Sequence, residues 1–397
     1  MLFALTTAFA LSQAWRTVAA IMAVPLQNDF HLDAQALGLF AGAFHFAFGV
    51  MQLFMGIGID LHGVRRTVLA AFPIAIAGSV LSAVAGSYGV LVLGQVLIGI
   101  GCAPAFLACT VFIARHFPAG RFAAISGMTL GLGGIGMLLT GTPLAWLIQA
   151  TSWRMGFAVL AGLACIAWLL VWWFVHEPAV GPAIDQIGKP QESLREAFGK
   201  FGALFLLPHT FGIVLLAGVG YASFISLRGL WLGPLLMQRH DFSLVQSGNV
   251  ALVMSLASLF GPPLFGRFDP GPGRRRTWIV GFTLLLAALF CVFAFTHSAV
   301  LDVMAPIVIG VLSGCLVLQY ADVRSAYPAA ITGRAMAVFT MAMFLGVAAM
   351  QWLTGIVASA ATVYGVEPYT AVLASIAALL AAGALAFALL PGPPVRA

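Results

Sequence analysis

Apolar residues gather into twelve runs, at about 2–24, 35–59, 67–86, 88–114, 122–148, 154–176, 205–236, 243–266, 277–296, 299–321, 335–358 and 369–390. Each is near or above the roughly 20 residues a helix needs to cross the hydrocarbon core of a bilayer. The runs are continuous rather than alternating, which predicts spanning helices and not barrel strands. Polar residues fall in short gaps between them. The one sizeable polar stretch, about 177–203, opens with Pro and Gly and ends in a short amphipathic run from Ser193 to Lys200. It divides the chain into an N-terminal bundle (1–176), a linker (177–203) and a C-terminal bundle (204–397). Met1 leads directly into the first run with no basic residue before Arg16, so that run reads as a retained span rather than a cleaved signal.

Composition agrees. Of 397 residues 62% are hydrophobic and 8% charged, where a soluble chain carries about a quarter charged residues. The net charge of +6 does not point to nucleic acid, because the basic residues sit in the gaps between runs. An N-terminus inside puts Arg65, Arg66, Arg115, Arg121, Arg267, Arg274, Arg275, Arg276, Arg324 and Arg334 on the cytoplasmic side, with Lys189, Arg195, Lys200 and Arg396. Only Arg154 and Arg239 then face out. By the positive-inside rule the expectation is a multi-pass protein of the cytoplasmic (inner) membrane with both termini inside. The five cysteines lie within apolar runs without a C-x-x-C pair and read as small core residues. No cofactor or metal set is indicated.

The two sets of six echo each other. "GVRRTVL" after the second run returns as "GRRRTWI" after the eighth, with Arg66 and Arg276 in step (276 − 66 = 210). "LTG" at 139–141 returns at 353–355 (353 − 139 = 214), and Arg121 pairs with Arg334 (334 − 121 = 213). A near-constant offset argues for duplicated halves, a common plan among transporters with a site between repeats.

The loop after the second run, "GIGIDLHGVRRT" (56–67), resembles the signature of the major facilitator superfamily, Gly-x-x-x-Asp-[Arg/Lys]-x-Gly-x-[Arg/Lys]-[Arg/Lys]. Gly56, Asp60, Gly63, Arg65 and Arg66 match it, while Leu61 stands where a basic residue is usual. In physical terms Gly56 is expected to end a helix with close packing, Gly63 to turn the chain, and Asp60 to meet a helix N-terminus or an Arg at the membrane surface. The resemblance implies an all-α membrane fold of twelve helices in two pseudo-symmetric six-helix bundles. It also implies that this loop helps hold one side shut. The second copy, "GPPLFGRFDPGPGRRRT", is degenerate, with Asp269 out of step, and no latch is expected there. Gln95 replaces the Arg that the family links with proton coupling, and Gly-Pro-x-x-Gly-Gly of its drug antiporters is missing. Gly127, Gly131, Gly134 and Gly141 near one face of the fifth run are expected to let helices approach closely.

Two arginines lie inside runs, Arg16 in the first and Arg228 in the seventh (228 − 16 = 212), and no Asp or Glu lies mid-run. A cation at a helix centre costs about 2.5–3.5 kcal/mol, so each should face the bundle interior. Paired guanidinium groups, one per half, are a bidentate site for carboxylate or phosphate. The superfamily's organophosphate exchangers look similar, with an Arg on the same two spans. Snorkelling of Arg16 to an interface, or an early end to the seventh span at Arg228, are the structural alternatives. Gln13 lies one turn before Arg16; His45 and Gln52 share a small/polar stripe on the second run with Gly38, Gly42, Gly49 and Gly56. Asn249, Gln319, Tyr320, Gln351 and Trp352 are the cavity candidates of the second half.

The expectation is a secondary or facilitative transporter of a small, anionic organic solute, with protons or a counter-transported anion as candidate coupling partners. Without a mid-membrane carboxylate, proton coupling would fall to His45, His209 or the solute. An exporter of neutral or hydrophobic compounds is the nearest alternative; a transporter-like sensor or a polytopic membrane enzyme are alternatives of another class. No P-loop is present, and the histidines form no H-x-x-x-D or H-E-x-x-H grouping, so an enzyme is not expected.

Overall fold

The computed structural model describes residues 1–118, 121–176, 202 and 204–393, without the side chains of residues 53, 60, 122–124 and 329–330. The expected linker 177–203 therefore lies, but for residue 202, outside the described residues, as does the side chain of Asp60. Among the described residues all regular structure is helical. Twelve helices are long and apolar enough to cross a membrane: Leu2–Phe30, Ala34–Gln52, Leu61–Ala83, Tyr88–His116, Ile125–Ala150 and Trp153–Phe174, then Pro208–His240, Leu244–Arg267, Pro272–Phe295, Ala299–Ala326, Ile331–Val363 and Pro368–Leu389. They are numbered spans 1 to 12. An even number of crossings puts Met1 and the end of span 12 on one face, called the terminus face below.

Local sequence explains where the helices break. Spans 2 and 3 form one helical run except at Gly63, whose φ of 81° lies in the region glycine tolerates. Pro104 opens the second part of span 4. In span 5 the run "LTGTP" interrupts the helix: it stops at Leu139 and restarts at Thr142, with Pro143 in the first turn. Span 7 carries a π-helical turn over Leu227–Trp231. Asp33 caps span 2 by accepting from the Ala36 N–H at 2.7 Å, and Ser243 caps span 8 in a full capping box with Gln246.

The bundles meet on the face opposite the termini, where glycine lets backbones touch. A Cβ on Gly38 of span 2 would sit 2.4 Å from the Gln351 carbonyl oxygen of span 11; on Gly141 of span 5 it would sit 2.8 Å from Leu252 Cβ of span 8. The Gln35 N–H also donates to Ser359 Oγ, 3.0 Å away. Gly134 and Gly141 thus pack as expected. Gly127 and Gly131 do not: added Cβ atoms there would meet nothing within 4 Å, and the same holds for Gly333 on span 11. These positions lie toward the terminus face, where the bundles diverge, so the same helix face is packed at one end and open at the other.

Gly38→Leu is expected to disfavour this arrangement, because overpacking a backbone contact costs about 1–3 kcal/mol, roughly a tenfold population shift. Spin labels at His31 and Tyr364 should then report a longer separation across the face opposite the termini. An unchanged distance distribution would show that the glycine contact does not hold it closed.

Candidate functional site between the two bundles

The break in span 5 creates an acceptor. Gly141 N–H, which a continuous helix would direct to Met137, bonds the Leu138 carbonyl instead at 3.1 Å. Met137 O is taken by Arg228 of span 7, whose Nη2 donates to it at 2.8 Å and to Thr140 Oγ1 at 3.4 Å. Arg228 Nε donates to Ser255 Oγ of span 8 at 2.7 Å. Thr140 Oγ1 in turn shares a 2.6 Å hydrogen bond with Thr17 Oγ1 of span 1. Arg228 is fully buried, all these partners are neutral, and its Nη1 has none. Neither membrane interface nor lipid is its environment, so the early-end reading of span 7 fails.

Arg16 is also buried. Its guanidinium lies 4.5 Å from the ring centre of Phe48 on span 2 and 4.8 Å from that of Phe344 on span 11, between faces from the two bundles. Nη2 reaches Ser12 Oγ at 3.4 Å, and Nε has no partner. Snorkelling is excluded by this placement. Beside it lie His45, whose Nδ1 faces the Ala41 carbonyl at 3.2 Å, and fully buried Gln351; the imidazole and the amide neighbour each other without a well-formed hydrogen bond, which leaves His45 Nε2 and both Gln351 amide atoms unpartnered. Gln13 is half-buried with an unpartnered Oε1. The ion pairs among the described residues lie elsewhere: Asp29 with Arg154, Asp302 with Arg239 and His240, Glu367 with Arg239, Asp269 with Arg275.

The duplication shows in these contacts. Thr17 and Thr140 pair across spans 1 and 5; Trp231 Nε1 donates to Thr354 Oγ1, 2.9 Å, across spans 7 and 11. Both partners shift by the same amount (231 − 17 = 214, 354 − 140 = 214). Met137 corresponds to Gln351 by that offset (351 − 137 = 214), and Ser255 to His45 by the offset of the two helix caps (243 − 33 = 255 − 45 = 210). Arg228 has thus engaged its serine and its carbonyl, whereas around Arg16 the equivalent His45 and Gln351 still carry free polar atoms.

Not every expected residue joins this cluster. Gln52 is committed to the Ala103 carbonyl of span 4 at 3.2 Å. Asn249 is exposed and accepts from Thr142 Oγ1 at 2.6 Å, a second link between bundles on the face opposite the termini. Trp352 is 49% exposed and lies outside the cluster, because its neighbour Gln351 takes the inward position on span 11. Gln319 points into a small cavity inside the C-terminal bundle. Tyr320 is half-buried with its ring edge-on to Phe339 at 4.8 Å. Thr17, Met137, Thr140 and Ser255 were not among the expected site residues. The recurrent "LTG" was the one available signal, and it served only as a landmark of duplication.

The signature loop is placed as follows. Gly63 turns the chain as expected, and Arg65 Nη2 donates to the Trp172 carbonyl at 2.9 Å. Arg66 is exposed. Gly56 does not end a helix: it lies inside a continuous helical stretch, and an added Cβ would approach only Leu107, at 4.0 Å. The second loop is more ordered than its sequence suggested. Gly271 adopts φ 81°, ψ 171°, nearly the values of Gly63 (81°, 168°), so the turn glycine is Gly271 and not Gly273. Asp269 accepts from the Gly271 N–H and holds the Arg275 fork at 2.9 and 2.6 Å; Arg275 Nη1 also reaches the Ala321 carbonyl and Ser325 Oγ of span 10. Asp269 stands one place out of register, two residues before its turn glycine where Asp60 is three before Gly63, and still leaves a clamp between spans 9 and 10.

With this geometry the comparisons with known proteins can be read. The profile of the Major Facilitator Superfamily matches residues 4–351, and the chain belongs to that family. A hexuronate transporter of Bacillus subtilis is 25% identical over 183 residues, 46% of this chain and 40% of that protein. A probable sulfoacetate transporter of Cupriavidus necator is 24% identical, covering 62% of this chain and 59% of its own. The chain thus spans about half the length of the curated relatives it matches. The fold is shared with a D-xylose-proton symporter, TM-score 0.77 at 14% identity over 99% of this chain and 97% of that one. A bacterial homolog of the human lysosomal transporter Spinster gives 0.69 at 18% identity, over 98% and 94%.

The Arg275 guanidinium hydrogen-bonded to Asp269 holds that carboxyl below the usual range, against a smaller opposing effect of burial. A depressed folded value means stability that is present above the unfolded value, near 3.9, and lost as pH falls through the folded one. Asp269→Asn is expected to lower the melting temperature at pH 7 by about 2–4 °C, the response of a unit of 150–250 residues to roughly 1 kcal/mol. The difference from wild type should begin to shrink as pH falls below about 4 and vanish only below the lowered folded value. An unchanged melting curve at pH 7 would remove the clamp's stabilising role.

Proposed function

We propose that this protein is a secondary or facilitative transporter that carries a small organic anion by alternating access, with Arg16 as the charge that receives it and Arg228 as its partner. One observation carries the reading: two guanidinium groups, one per bundle, are buried between the bundles with neutral partners and unused N–H groups. A buried cation without a counter-charge is costly, and an anion accepting charge-assisted hydrogen bonds from Arg16 Nε and Arg228 Nη1 offsets that cost. His45 Nε2 and the Gln351 amide supply further polar contacts. The names of relatives, hexuronate and sulfoacetate transporters, point to solutes of the same charge.

Opening toward the terminus face fits release or entry there. The excess of loop arginines on that face supports placing it in the cytoplasm, with both termini inside a cytoplasmic membrane. Exchange against a second anion is compatible with this site, since a returning anion would again neutralise Arg16. The bundles (1–176 and 204–397) rock as units about this layer.

Purified protein is expected to melt higher with glucuronate or sulfoacetate than with xylose. A ligand at 100 times its Kd stabilises by about 2.7 kcal/mol, and Arg16→Gln should abolish the shift. If xylose or a neutral lipophile stabilises wild type and Arg16→Gln equally, the solute is not an anion and the exporter of neutral compounds is the better reading.

A further inference from the structure

A polar cluster inside the C-terminal bundle is used by none of the contacts above. Asp322, near the terminus-face end of span 10, is 7% exposed, and among the described residues no donor hydrogen-bonds its carboxylate. One turn earlier Gln319 is 4% exposed with an unpartnered Oε1. Both line a cavity of about 10 Å³ whose walls include Ile213, Ile279, Phe339 and Phe387 from spans 7, 9, 11 and 12. That volume is about the minimum for one water molecule, and the site offers two polar partners for it.

The arginines around Asp322 are committed. On span 9 Arg275 is held by Asp269, and Arg276 donates to the Phe387 and Leu390 carbonyls at the end of span 12 while stacking 4.3 Å over the Phe387 ring. From the far side Tyr327 hydroxyl pairs with Thr210 at 2.8 Å, and the His209 ring of span 7 lies 4.9 Å from the Tyr327 ring with Nε2 unpartnered. Span 11 contributes Arg334 only at its start, and span 12 has its one titratable residue, Tyr369, at the opposite end. Arg276 and Arg275 thus act on Asp322 through space rather than through a bond.

We infer that Asp322 is a proton-binding site: its carboxyl takes a proton from the terminus face, with Gln319 and a water in the cavity completing its hydrogen bonds, and releases it to the same side. A buried carboxylate without donors is costly, and a carboxyl escapes the cost by carrying a proton. When the proton leaves, the new negative charge competes with two neutral carbonyls for Arg276. Capture of Arg276 would free the end of span 12 from span 9, so protonation at Asp322 sets how tightly those helices are tied. The sequence had assigned proton coupling to His45, His209 or the solute, because Asp322 lies beyond the apolar run.

The test does not need the solute. In infrared difference spectra of lipid-reconstituted protein across a pH titration, the stretch of a protonated carboxyl should appear on acidification. [¹³C]aspartate labelling should shift it, Asp322→Asn should delete it, and Asp302→Asn should leave it. Asp322→Glu should move the band without removing it, which keeps the test valid if the asparagine variant folds poorly. A titrating band that is insensitive to aspartate labelling, or one retained in full by Asp322→Asn, would overturn the inference. So would an Asp322 carboxyl that never changes protonation over the titration.

Discussion

Arginine keeps its charge across the working pH range, and Arg228 is completely removed from water. Everything at the centre of the molecule follows from what must then surround it. A lone cation in hydrocarbon costs a few kcal/mol on insertion scales, and hydrogen bonds to charged groups return about 1.5–3 kcal/mol each. Ser255, the Met137 carbonyl and Thr140 are therefore enough, without a carboxylate. Two of these three acceptors belong to the other bundle. The hydrogen bonds that satisfy Arg228 consequently also tie the two bundles together in this arrangement.

The same need met from the other half gives a different outcome. Arg16 is held by two aromatic faces and one distant serine, which leave its N–H groups underused. Aromatic faces attract a cation but accept no hydrogen bond in its plane, so they can be displaced without orphaning a buried acceptor. The duplicated halves have thus diverged into one guanidinium held by three hydrogen-bond acceptors, with Nη1 left over, and one held chiefly by aromatic faces.

Much of the fold was legible in the sequence because spanning a bilayer is a severe demand on length and polarity. All twelve spans, the turn at Gly63 and the burial of both arginines follow from that demand. What the sequence left unread depends on relations between helices. A glycine stripe on span 5 marks a small face but not where the neighbouring bundle departs from it, so Gly127 and Gly131 looked the same as Gly134 and Gly141. Asn249 and Trp352 were placed inward because polar and aromatic residues in a span suggest a cavity; the phase of each helix put Asn249 at the rim and turned Trp352 outward. The turn of the second loop was looked for at Gly273, whereas the chain turns at Gly271, so that Asp269 lies close enough to accept from the Gly271 N–H. The span break at "LTGTP" was read through its "LTG" as a landmark of duplication, and the carbonyl it releases is visible only once the three-dimensional placement of its donor is known.

The π-helical turn at Leu227–Trp231 has a bearing on how such a molecule diverges from a duplicated ancestor. One extra residue in a turn rotates everything beyond it by about 100° relative to a regular helix. Trp231, the last residue of the turn, still answers to Thr17 (231 − 17 = 214), while Arg228, its second residue, stands two places out of strict register with Arg16 (228 − 16 = 212). A local winding defect of this kind lets one side chain be re-aimed while the helix on either side keeps its old neighbours. Asymmetry at the centre was thereby gained with no cost to symmetry in the frame.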